Sequence, residues 1–215
     1  MDLFLIRHGE CGTADGNWSP DPPLTEVGRL QATALGRAMA RLAVTAVIIS
    51  PLRRALETAR LAVENLEPQP SLTVWTELRE GLDDPHRLPG RTALAGEFPD
   101  FCFPDDLGQD EWVHGGDRIE EFVARARAVL SRLSAQFSGE ERVAVVAHGG
   151  IGNYLLRSAM AVTSDAEVFI ELSEASISHI RLHSGHARGR WGLLYPAPAV
   201  EILSVNDVAH LRRTD

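Results

Sequence analysis

Three apolar runs in this chain of 215 residues end in side chains that packing does not call for. Leu3–Ile6 runs into Arg7-His8-Gly9, Val44–Ile49 into Ser50-Pro51-Leu52-Arg53-Arg54, and Val143–Ala147 into His148-Gly149-Gly150. A strand end holds a side chain rigidly and presents it at the sheet edge where α/β proteins bind ligands. Arginine offers a fixed fork of donors that fits a phosphate. Neutral histidine is a nucleophile at physiological pH. Glycine at position 9 would let backbone approach a ligand closely.

Two histidines and two arginines at one edge point to phosphoryl chemistry. A dianionic phosphate is costly to desolvate unless fixed cations receive it, and Arg7 and Arg54 are those cations. His8 would attack phosphorus in line. Its attacking nitrogen must be bare, which neighbouring guanidinium groups favour. A backbone carbonyl or carboxylate on the other nitrogen would fix the tautomer. His148 would steady the equatorial oxygens of the transferred group. Gly149-Gly150 opens a helix whose N-terminus suits an anion. Arg53 and Arg54 are neighbours on a helix and point in different directions, so one enters the site and the other is a surface charge.

The elements that must position these residues alternate between strand and helix. Leu3–Ile6 is a strand, and Leu24–Leu42 carries apolar residues at helical spacing (Val27, Leu30, Ala34, Leu35, Ala38, Met39, Leu42), with Thr25 as N-cap. Val44–Ile49 is a buried strand, and Ser50-Pro51 starts a helix that runs to about Leu66 with proline in its first turn. Leu72–Trp75 is a short strand. Residues 81–116 are rich in Pro, Gly and Asp and form a lid-like excursion with short helical pieces. Asp117–Phe137 is a long helix, apolar at Ile119, Phe122, Val123, Ala126, Val129, Leu130 and Leu133, and Ile151–Met160 is another. Further strands are expected near Ile177–Leu182, Trp191–Tyr195 and Val200–Val205. The fold class is α/β: a three-layer α/β/α sandwich, a mostly parallel sheet with helices on both faces, in one domain spanning 1–215.

Composition narrows the function classes. A net charge of −9 argues against a nucleic-acid partner, which needs a basic face. It leaves room for a small phosphorylated substrate held in a local arginine pocket. All 21 basic residues are arginine, which excludes Schiff-base chemistry on lysine. Cys11 and Cys102 are too few and too distant to make a metal motif, and a filler role for Cys11 is favoured over a redox-sensitive thiol. No apolar run reaches the length of a membrane span, and no basic leader precedes Leu3, so no membrane partner and a cytoplasmic location are expected. Oligomeric state is not readable.

Arg7-His8-Gly9-Glu10 resembles the signature of the histidine phosphatase superfamily, which includes the phosphoglycerate mutases. The likeness extends over nearly the whole chain. Pro23-Leu24-Thr25-Glu26-Val27-Gly28 with Gln31-Ala32, and Ser50-Pro51-Leu52-Arg53-Arg54-Ala55-Leu56-Glu57-Thr58-Ala59, resemble two further segments of that family. So do Leu78-Arg79-Glu80, Gly115-Gly116-Asp117 with Arg125, His148-Gly149-Gly150 and Asn206–Leu211. The resemblance implies the phosphoglycerate mutase-like fold and a two-step reaction without metal or cofactor. In it His8 becomes phosphohistidine. Glu80 protonates the leaving oxygen and then activates water. Arg7, Arg54, His148 and Gly149 hold the phosphate, and the register selects Arg54 rather than Arg53.

The chain departs from the family pattern in places. Cys11 stands where members often carry Ser or Thr, and Ala14 where many carry an asparagine that contacts phosphate; Asn17 is the candidate substitute. Gly81-Leu82-Asp83-Asp84 lacks the usual tryptophan, which leaves Glu77 as an alternative acid. Asp117 and Arg118 replace Glu and Ser. His114 and Arg118 are placed to reach a substrate from the excursion, while His86, His179, His183, His186 and His210 read as structural or exposed. The expected function is hydrolysis of a small phosphomonoester. The alternatives are a cofactor-dependent phosphoglycerate mutase and a catalytically weak module that binds a phosphorylated ligand. The short acidic Asn17–Asp21 segment favours hydrolysis over mutase activity.

Overall fold

The computed structural model describes residues 1–137, 139–162, 167–183 and 199–212. Among them, strand and helix alternate as β1 (Asp2–Arg7), α1 (Glu26–Arg41), β2 (Ala46–Ile49), α2 (Arg53–Val63) and β3 (Ser71–Val74). The excursion follows as β4 (His86–Pro89), α3 (Arg91–Glu97) and β5 (Glu111–His114). The chain then runs through α4 (Ile119–Gln136), β6 (Arg142–Ala147), α5 (Gly149–Ala159), β7 (Ile177–Leu182) and β8 (Val200–Asp207). The six-stranded sheet has the order β3-β2-β6-β1-β7-β8. Its first four strands are parallel, and β7 and β8 join antiparallel. The fold is the three-layer α/β arrangement expected.

Side-chain alternation in β1 builds both halves of the core. Phe4 and Ile6 pack with Leu35 and Met39 of α1 and Leu56 and Ala59 of α2. Leu3 and Leu5 pack on the other face with Phe122 and Val129 of α4 and Ile151 and Leu155 of α5. Both faces are therefore closed, as a parallel sheet requires. Thr25 caps α1 as expected, its Oγ1 accepting the Gly28 N–H at 3.1 Å.

Register fixes the functional edge. Arg7 pairs with Ala147, and Ile6 and Ile49 both lie opposite Val146. His8 and His148 therefore leave adjacent strands side by side, with Ser50 next to them. Burial confirms that the edge is enclosed, since His8, Ser50, Arg54 and His148 are all buried.

Several expectations are corrected. Val27 and Leu30 face solvent, because α1 presents Gly28, Ala32, Leu35 and Met39 to the core instead. Ile119 is likewise exposed at the first turn of α4. Pro51 lies outside α2, which starts at Arg53 and ends at Val63. The start is set by Asp21, whose Oδ1 accepts the Arg53 N–H at 2.8 Å. The last parallel helix, α5, begins at Gly149 rather than Ile151. The excursion is more ordered than its composition suggests: β4 and β5 form an antiparallel pair, and Leu94, Phe98, Phe101 and Leu107 enter the core under α2. The expected strand at Trp191–Tyr195 and His186 lie outside the described residues. Among the described residues no helix is long and apolar enough to cross a membrane.

Packing alone already requires glycine at position 9. A Cβ there would lie 2.7 Å from the Gly28 carbonyl oxygen, and a Cβ on Gly28 would collide with the Glu10 carbonyl. The Arg7-His8-Gly9 exit thus crosses the start of α1 at backbone contact, and Thr58 Oγ1 accepts the Gly9 N–H at 3.1 Å.

Candidate active site

A cleft of about 430 Å³ opens at the carboxyl ends of β1 and β2. It gathers Arg7, His8, Arg54 and Glu80 with Cys11, Trp18 and His114. A cleft of about 500 Å³ elsewhere, around Asn65–Pro70, has Glu67 as its only ionisable lining residue, so its size carries no chemistry.

The two ring nitrogens of His8 have different partners. Its Nδ1 lies 2.7 Å from the Gly9 carbonyl oxygen, which can only accept, so Nδ1 carries the proton. Nε2 keeps its lone pair and receives the Arg54 Nε–H at 3.2 Å. Burial, and then the Arg54 charge, push the His8 pKa from 6.5 down to about 3. The ring is therefore neutral at physiological pH. The sequence-based expectation of a carbonyl on the second nitrogen is met by the residue's own neighbour.

His148 packs against His8 with ring centroids 5.1 Å apart. Its Nε2 contacts Ser50 Oγ at 2.7 Å, and its Nδ1 is buried without a partner. Burial first, and then Arg54, hold its pKa well below the usual value. Arg7 reaches away from the strand, its Nη1 bonding the Leu172 carbonyl at 2.5 Å and its Nη2 meeting Glu174 at 3.4 Å. Its Nε is buried and unpartnered. Arg53 leaves the site and forms a two-pronged pair with Glu97 at 2.5 and 2.7 Å, as adjacent positions on a helix demand.

Glu80 lies across the N-terminus of α5. Its carboxylate accepts the N–H groups of Gly150 and Ile151 at 2.8 and 3.0 Å, and that of Gly81 at 3.0 Å. The helix terminus expected to receive an anion is thus occupied by a side chain of the chain itself. Gly150 makes this possible, because a Cβ there would lie 2.6 Å from Glu80 Oε1. Arg125 secures the turn that carries Glu80: its Nη1 bonds the carbonyls of Glu77 and Arg79 at 2.9 and 2.6 Å. Asp117 joins Arg79 and Arg125, each at 2.7 Å. Asp117 is therefore committed within the protein. Glu77 pairs with Arg132 at 2.7 Å and is not among the lining residues of the cleft, whereas Glu80 is.

Four residues were underweighted by sequence reasoning. Asp21 is half-buried 3.6 Å from Arg54 and anchors α2 through Arg53. Burial raises its pKa to about 6 against the pull of Arg54. Ser50 and Thr58 hold His148 and Gly9 through bonds that no spacing reveals. His114 is buried with an unpartnered Nδ1, and burial followed by Arg54 takes its pKa to about 4. The antiparallel β4–β5 pair brings it to the cleft. Asn17 lines the cleft, but its amide donates to Asp15 at 2.5 Å. Arg118 is exposed and meets Glu120 at 3.6 Å. Cys11 and Cys102 are free thiols. Among the described residues no three His, Cys, Asp or Glu side chains cluster so as to hold a metal ion.

Three neutral buried histidines make folding stability depend on pH. The unfolded chain takes up protons below about 6.5, while folded His8 resists until about 3. The unfolded state then binds more protons, so stability falls as pH is lowered through this window. From His8 alone the loss at pH 5 is about 2 kcal/mol. Asp21, with its raised pKa, offsets part of this because it binds its proton more readily when folded. Urea midpoints at pH 7 and pH 5 are expected to show a net drop, smaller in His8→Ala; an unchanged difference in that variant would contradict the buried neutral imidazole.

The sequence profile described as histidine phosphatase superfamily (branch 1) matches residues 3–191. An adenosylcobalamin/alpha-ribazole phosphatase of Salmonella typhi is 29% identical over 198 residues, covering 86% of this chain and 87% of that protein. A probable phosphoglycerate mutase of Erwinia tasmaniensis is 25% identical over 223 residues, covering 100% of this chain and 96% of that protein. Among solved structures, a putative alpha-ribazole-5'-P phosphatase of Escherichia coli aligns with a TM-score of 0.65 at 21% identity, over 96% of this chain and 97% of that one. That likeness concerns the fold.

Proposed function

The chain belongs to the histidine phosphatase superfamily, and from this premise we propose that it hydrolyses a small phosphomonoester through a phosphohistidine on His8, acting as a single domain. The observation that carries this reading is the tautomer of His8. Nδ1 donates to the Gly9 carbonyl, which leaves the protonless Nε2 at the floor of the cleft with its lone pair toward the Arg54 guanidinium.

In the first step Nε2 attacks phosphorus and the bond to the ester oxygen breaks. Glu80 supplies the proton that the departing oxygen needs. Arg7 and Arg54 carry the charge of the phosphoryl oxygens, and His148 Nδ1, left without a partner inside the protein, turns to them. In the second step Glu80 takes a proton from water, which attacks phosphorus and displaces His8. Inorganic phosphate leaves and the neutral imidazole is restored. Arg54 begins bonded to Nε2 and passes to the phosphate as attack proceeds. Gly149 borders Arg7, so its backbone lies where a phosphate oxygen would be received.

The mutase alternative needs a bisphosphate and therefore more cations. Arg7 and Arg54 are the only guanidinium groups among the described lining residues. That favours hydrolysis. The test is release of phosphate from p-nitrophenyl phosphate with an acid-labile phosphoprotein on the way. Conversion of 3-phosphoglycerate to 2-phosphoglycerate with a bisphosphate primer, and no net hydrolysis, would reverse the ranking. Saturable binding without turnover of any ester would leave a binding module.

A further inference from the structure

The cleft has two chemically distinct parts. Its floor is cationic, with Arg7 and Arg54 beside His8. Its outer wall comprises Cys11–Thr13, Asn17–Pro20 and Pro22 on one side, and Glu80–Leu82 with His114 on the other. Among the described residues this wall holds no arginine. Its hydrogen-bonding groups are the uncharged Thr13, Asn17, Ser19 and His114, the last kept neutral by its surroundings. The acidic side chain of the wall, Glu80, offers no counter-charge to a second anion.

Trp18 is the feature the mechanism does not use. It is 68% exposed at the cleft, flanked by Pro20 and Pro22, and its ring lies 5.0 Å from that of His86. A large aromatic face left in water beside a phosphate site is suited to stacking against a bound ring. A leaving group with its own carboxylate or phosphate would meet Glu80 and find no counter-charge.

We propose that the alcohol released from the substrate is uncharged and carries a planar ring that stacks on Trp18. This rests on the phosphatase reading for the word released, but the preference itself is a matter of binding and can be measured without turnover. The experiment uses His8→Ala protein, in which no phosphohistidine can form, and calorimetric titration with phenyl phosphate, ethyl phosphate and 3-phosphoglycerate. Phenyl phosphate is expected to bind roughly five- to tenfold more tightly than ethyl phosphate, with 3-phosphoglycerate the weakest. Adding Trp18→Ala should remove the phenyl advantage and leave ethyl phosphate unchanged. Equal affinity for phenyl and ethyl phosphate, tighter binding of 3-phosphoglycerate, no measurable binding of phenyl phosphate, or an equal loss for all ligands on Trp18→Ala would each overturn the proposal. A wild-type protein that turns over no ester, with the phenyl preference intact, would instead refute hydrolysis and leave the ring subsite standing.

Discussion

Replacing His8 with alanine is expected to lower kcat/KM for p-nitrophenyl phosphate by on the order of 10⁴-fold or more, because it removes the atom that forms the covalent bond. A loss of that size corresponds to about 5 kcal/mol of transition-state stabilisation. Arg7, Arg54 and His148 remain in the variant and can still hold phosphate, so KM should change far less than kcat. Brief reaction of the wild type with labelled substrate, followed by denaturation, should trap a phosphoprotein that is stable in alkali and lost in acid. His8→Ala should trap none. Phosphatase activity surviving in that variant, or an acid-stable phosphoenzyme, would place the nucleophile elsewhere. Because burial and Arg54 keep the His8 imidazole neutral down to about pH 3, protonation of the nucleophile should not limit the rate anywhere between pH 5 and 8.

Glu80→Gln tests the proton donor, and its effect should depend on the leaving group. For an alkyl phosphate, whose alkoxide is a poor leaving group, kcat/KM is expected to fall by about 10²- to 10³-fold. For p-nitrophenyl phosphate, whose phenolate departs without much help, the loss should be tenfold or less. This ratio separates proton donation from scaffolding. Both Glu80 oxygens accept backbone N–H groups at the start of α5. The glutamine amide must therefore turn its NH₂ toward one of them, at a cost of about 1 kcal/mol in stability. That cost is the same for every substrate. An equal loss on both esters would reduce Glu80 to a helix cap, and the acid would have to be sought elsewhere in the cleft.

The two predictions draw on different kinds of information. His8, Arg7, Arg54 and His148 were readable because each follows an apolar run within a few residues. A strand end fixes where such a side chain emerges, and parallel strands deliver their ends to one edge. That only one of Arg53 and Arg54 could enter was equally local, since adjacent helical positions diverge by about 100°, while the register of the family resemblance picked Arg54. Fold class followed from strand–helix alternation. What sequence misjudged was also local: the apolar Val27 and Leu30 suggested a buried stripe that packing against small residues placed one position along the helix.

Sequence by itself determined which histidines and arginines stand at the functional sheet edge, because this depends on residue type at the ends of short, strongly apolar segments. Tertiary structure alone decided the partners of those groups. Asp21 reaches Arg54 and the start of α2 across a loop. Arg125 and Asp117 clamp the turn beneath Glu80 from a distant helix. The β4–β5 pair carries His114 to the cleft, and the Asn17–Pro20 loop sets Trp18 at its mouth. These placements have no periodicity in the sequence to announce them. Their energy comes from burial and geometry that exist only once the sheet is closed.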